Sequence, residues 1–158
     1  MLLSWLHLIS LAVYLGSLVG LWVMVLPVLS AIQNHEERIK MVARSLKLYN
    51  PVQSASLGVL ILSGAFQLTD LKAAYRELFL RELGLTLAVK LLLSFFLIVF
   101  STYQSMAVAH RFVRRCEQGE SFSPRELQSV TRRLKTSTLA ILLLTMIIVW
   151  LGVQLRRT

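Results

Sequence analysis

An all-α integral membrane protein, a four-transmembrane-helix bundle with short amphipathic interfacial helices, is the fold class that this sequence predicts. Three observations predict it. Of 158 residues, 56% are hydrophobic and only 16% charged, too little polar surface for a water-soluble domain of this length. The hydrophobic residues gather into four long runs. The lysines and arginines sit almost entirely between those runs, so the net charge of +9 belongs to membrane connections and predicts no nucleic-acid partner.

The first span covers about residues 2–29, longer than the apolar core of a signal peptide and without a basic segment before it. The second, about 51–68, is the shortest and most polar. The third covers about 83–109 and the fourth about 137–155. Each must be helical, because hydrocarbon offers no partner for backbone N–H and C=O groups. The whole chain, 1–158, reads as one membrane domain with no internal repeat. Its one cysteine, Cys116, excludes an internal disulfide and any site built from several thiolates.

The connections, 30–50 and 110–136, carry helical patterns of their own. Ile39, Val42, Leu46 and Tyr49 recur at helical spacing among charges, which predicts an amphipathic helix at the interface. Leu71, Tyr75 and Leu78 repeat the pattern in the second connection. Ser123-Pro124-Arg125-Glu126 is a capping box with proline at the first helical position, so the last helix should start near Pro124 in water.

Orientation follows from the basic residues. The first and third connections hold Arg38, Lys40, Arg44, Lys47, Arg111, Arg114, Arg115, Arg125, Arg132, Arg133 and Lys135. The other side holds only Lys72, Arg76, Arg81, Arg156 and Arg157. The richer side should be cytoplasmic, which places both termini outside, in the periplasm if the membrane is a bacterial inner membrane.

Every span carries one polar seam. Ser4, His7, Ser10, Tyr14 and Ser17 line a face of the first helix. Gln53, Ser56, Ser63 and Gln67 line the second, and Thr86, Lys90, Ser94, Ser101, Gln104 and Ser105 the third. Thr138, Thr145 and Gly152 line the fourth. Seams of this kind should face one another, and small hydroxyls also serve simply as glue between helices.

His7 and Lys90 are the two ionisable groups well inside the apolar spans. Helix rise puts both roughly 7–11 Å below the same surface, with Gln67 and Trp150 at a similar level. A lysine at a bilayer centre costs about 2.5–3.5 kcal/mol, less near the interface. Lys90 can reach outward along its stem, pair with Glu82 or Glu77, or meet an anion the chain does not supply, such as a cofactor carboxylate. His7 can be a neutral hydrogen-bonded ring, a proton-transfer group, or a ligand to haem iron. His35 and His110 lie about 30 Å away at the opposite face, so no bis-histidine pair forms with His7 in one chain.

Trp5-Leu-His7, Ala12-Val-Tyr-Leu-Gly16 and Val25-Leu-Pro27 resemble the first helix of CopD-type membrane domains and, more distantly, of HemJ-type protoporphyrinogen oxidases. Asn50-Pro51 with Ser63-Gly64 resembles their second helix, and Leu87-Ala-Val-Lys90-Leu-Leu their third. The HemJ resemblance implies bound haem b, with His7 and Lys90 at the essential histidine and lysine, and a porphyrin substrate. The CopD resemblance implies a role in copper handling. Copper(I) passage favours rungs of Met, His or Cys, and here Met24, Met106 and Met146 are scattered.

The expectation is therefore a haem b site with His7 on the iron and Lys90 at a propionate or acting as the catalytic cation. Tyr14, Gln67 and Trp150 should line it. Quinone or porphyrin is the expected small-molecule partner, and a membrane redox role the expected function. Two other classes stand beside it. One is a non-catalytic membrane subunit docking partner subunits or a second copy of itself. The other is a copper, metal or proton transporter.

Overall fold

In this computed structural model, residues 2–74 and 83–155 are described. The side chains of Asp70, Leu71, Lys72, Tyr75, Arg76, Glu77, Leu78, Arg81, Glu82, Thr86, Arg156 and Arg157 fall outside the described residues, and with them the second amphipathic pattern and the acidic partners considered for Lys90.

Four helical rods make up the described chain. The first, α1, runs Leu2–Ala31 and contains a π-helical turn at Gly20–Val25. The second, α2, is one uninterrupted helix, His35–Ala74. The third, α3, passes from Leu83–Tyr103 through a π-helical stretch, Gln104–His110, into Arg111–Glu117. The fourth, α4, is Pro124–Leu155. All four are long and apolar enough to cross a membrane.

Successive rods are antiparallel. Gln67 of α2 reaches the Leu3 carbonyl of α1, and Lys47 of α2 pairs with Glu117 of α3 at the opposite end. Each rod packs on the next, and α4 closes the ring against α1. Hence α1 and α3 face each other diagonally, and Tyr14 of α1 donates across the interior to Ser101 of α3 at 3.2 Å. One end of the bundle carries both chain termini, and the other carries most of the bases. We call these the terminal end and the basic end.

The capping box at the start of α4 forms as its residues require. The Ser123 hydroxyl accepts from the Glu126 N–H, and the Glu126 carboxylate accepts from the Ser123 N–H. Asn34 caps α2 through its side-chain oxygen. Gly119, at φ +73°, ends α3 in the left-handed region that suits glycine.

The amphipathic segment expected at the interface instead joins the second span without a break. Pro51 lies inside α2 and does not stop it. Val42 and Leu46 are buried, so that face turns into the bundle rather than toward lipid. At the basic end they join Leu26, Leu29, Val108, Phe112, Phe122, Leu127 and Leu134 in a second apolar core, with Phe112 stacked on Phe122 at 4.8 Å between centroids. The rods thus extend past the apolar spans into a helical cap. Around the spans, large apolar side chains such as Phe66, Phe95, Met146 and Trp150 point outward, as a bundle in hydrocarbon requires.

This packing sets an order of sensitivity. Phe112→Ala should cost about 3–5 kcal/mol, because a closed aromatic site cannot collapse around the void. Trp150→Ala should cost far less in unfolding assays of the detergent-solubilised protein. Equal losses for the two would contradict this division of inside from outside.

Candidate functional site

The polar seams meet in two separate layers. Near the terminal end, His7 Nδ1 lies 2.9 Å from the Ser63 hydroxyl. Ser63 Oγ also lies 2.7 Å from the Val59 carbonyl, one turn back on α2. A hydroxyl has one proton, and the backbone carbonyl takes it. Ser63 must then accept from His7, so Nδ1 carries the ring proton. The Nε2 lone pair is left free.

The ring can sit there because residue 64 is glycine. A Cβ on Gly64 would stand 3.3 Å from the ring Cε1, too close without movement. Lys90 uses the same device on the facing wall. It crosses Gly152 of α4, where a Cβ would stand 3.3 Å from its Nζ. Both lie toward the terminal end, His7 beside Ser63 and Lys90 beside Gly152. Among the described residues no carboxylate pairs with Lys90. The two groups therefore share one layer, each laid over a glycine of a neighbouring helix.

The other expected lining residues divide. Gln67 stands at this end but spends its amide on the Leu3 carbonyl, at 3.2 Å, and clasps α1 to α2. Tyr14 is fully buried, two turns deeper than His7, and bonds to Ser101. Trp150 does not reach the interior. It is 60% exposed on the outer face of α4, because helix rise sets its depth while its angular position turns it outward.

The deeper layer draws on all four helices. Gln53 donates to the Ser101 hydroxyl at 3.3 Å, Gln104 donates to Thr138 at 2.6 Å, and Ser105 donates to Asn50. Leu57, Leu97 and Ile141, each about one turn toward the terminal end, close over it as an apolar layer. Gln53, Ser101, Gln104, Ser105 and Thr138 were visible as seam residues. Asn50 and Tyr49 were not, because they flank Pro51 where a helix boundary was expected.

Among the described residues no three of His, Cys, Asp and Glu come together as a metal-binding group. His35 bonds to the Phe122 carbonyl at 2.8 Å in the basic-end cap, and His110 is exposed there, far from His7. What the His7–Lys90 layer offers is one imidazole with a fixed tautomer and one cation.

The tautomer is open to direct test. In ¹⁵N-histidine-labelled protein the neutral His7 ring should show protonated Nδ1 and bare Nε2, and Ser63→Ala should raise the other tautomer. A wild-type ring protonated on Nε2 would sink the assignment. Compared with protein-family models, with curated proteins and with solved structures, the chain shows no match.

Proposed function

We propose that this chain is a CopD/HemJ-like integral membrane protein that binds haem b through His7 and serves a membrane redox role. One observation carries the reading. His7 Nδ1 is hydrogen-bonded to Ser63 while Nε2 has no hydrogen-bond partner among the described residues, the arrangement in which outer hydrogen bonds hold a metal-bound imidazole. Haem asks the protein for few ligands, since the macrocycle brings four nitrogens of its own. That suits a layer with a single imidazole better than it suits a copper site, which needs several converging His, Cys or Met side chains.

Haem b bound there would supply one-electron redox chemistry. The chain's residues supply the rest. Ser63 holds the ring by Nδ1 and leaves Nε2 available. Lys90, laid over Gly152, would be the residue to pair with a propionate. Gly64 lets α1 and α2 close on the ring from behind. The apolar outer faces of the rods give a lipid-soluble partner, a quinol or a porphyrinogen, a route to this layer through the bilayer. The excess of bases supports a cytoplasmic basic end, and in a bacterial inner membrane both termini would then face the periplasm.

Absorption spectra of detergent-purified protein from haem-supplied cells, oxidised and dithionite-reduced, test this. A b-type Soret and α-band should appear in the wild type and vanish in His7→Ala. Ser63→Ala should keep the bands with a shifted midpoint potential, and Lys90→Met should lower haem occupancy. A featureless wild-type spectrum would reject haem binding and favour a non-catalytic subunit whose seams only pack.

A further inference from the structure

The deeper layer holds more hydrogen-bonding capacity than its side chains can use. Gln53 and Gln104 are each 1% exposed, and the Oε1 of each lacks a partner. The Tyr49 hydroxyl is also out of contact with solvent and unpartnered. Tyr49 packs against the basic-end core on one side of the layer, and Tyr14 and Gln53 both donate to Ser101. Turning either amide over does not remove the deficit. It exchanges an unmet carbonyl for an unmet NH2. The π-helical stretch begins at Gln104 and brings Gln104 and Ser105 inward together, adding polar groups where a plain helix would turn one of them away.

A buried amide without a partner is costly, and more so where no bulk water reaches it. Unmet buried groups on the seams of α2 and α3 therefore call for a ligand. Two are carbonyl acceptors and the third is a phenol that can both donate and accept. The matching ligand donates two hydrogen bonds and accepts at least one. No carboxylate lies on this seam to balance a cation. Water has the required donors and acceptors and is neutral.

We propose that the layer of Tyr49, Gln53 and Gln104 is a binding site for internal water, closed toward the terminal end by Leu57, Leu97 and Ile141. Bound water completes the bonds of the two glutamines and joins Tyr49 to the Tyr14–Ser101 pair. The interior of the bundle is then wet at this layer and dry one turn beyond it. The site does not depend on haem at His7.

Radiolytic hydroxyl-radical footprinting of the full-length protein in detergent micelles, read by mass spectrometry, tests this. Radicals formed from bound water label side chains beside it even when bulk solvent cannot reach them. Tyr14 and Tyr49 should be oxidised several-fold faster than Phe112 and Phe122, which are buried in the apolar cap. Gln53→Met with Gln104→Met should bring the tyrosines down to the phenylalanine rate. Labelling of Tyr14 and Tyr49 no faster than Phe112 in the wild type would overturn the proposal, and that comparison needs no variant to fold. Melting temperatures in equal concentrations of sodium, potassium and choline chloride should agree. A rise specific to sodium or potassium and lost in Gln53→Met would assign the layer to a cation and also overturn it.

Discussion

Polar side chains on an apolar helix have only one inexpensive destination, and the rest of this structure depends on it. Each rod exposes a broad apolar face, so hydroxyls, amides, the imidazole and the ammonium must point at the other rods. Once four seams face inward, the helices cannot rotate freely about their axes. Tyr14 meets Ser101, Gln53 meets Ser101, and Gln104 meets Thr138, which fixes the rotation of all four rods at a single level. The helix angles at His7 and Lys90 follow from that lock two turns away. The His7–Lys90 layer is therefore positioned by the layer of hydrogen bonds beside it.

The glycines complete the arrangement. His7 and Lys90 are bulky polar groups at close helix contacts, and at each contact the opposing helix presents no side chain at all. This is the reverse of the usual use of small residues between membrane helices, where they let two backbones touch. Here the space left by each glycine is filled by a ring or an alkyl stem from the neighbouring rod. The packing holds each polar group in place.

Much of this was legible in the residue pattern, and the failures have physical causes. The four apolar runs and the capping box at Ser123 follow from composition and spacing, and the structure bears out both. Pro51 was read as the start of a span. Its missing N–H costs one hydrogen bond, yet packing of Val42, Leu46 and Leu57 on either side keeps α2 continuous. Trp150 was placed by depth alone. A helix also turns about 100° per residue, and that turn carries the indole outside. The two π-helical stretches left no mark in the residue pattern, since each is a small register shift that tertiary packing selects. The diagonal placement of α1 and α3 is likewise a matter of which neighbours close the ring.

The apolar layer of Leu57, Leu97 and Ile141 has a consequence for the bundle as an electrical object. It lies between two polar layers and makes the interior a capacitor with one thin dielectric. In a bundle that spans a membrane, this ring would separate the His7–Lys90 layer from the compartment at the basic end.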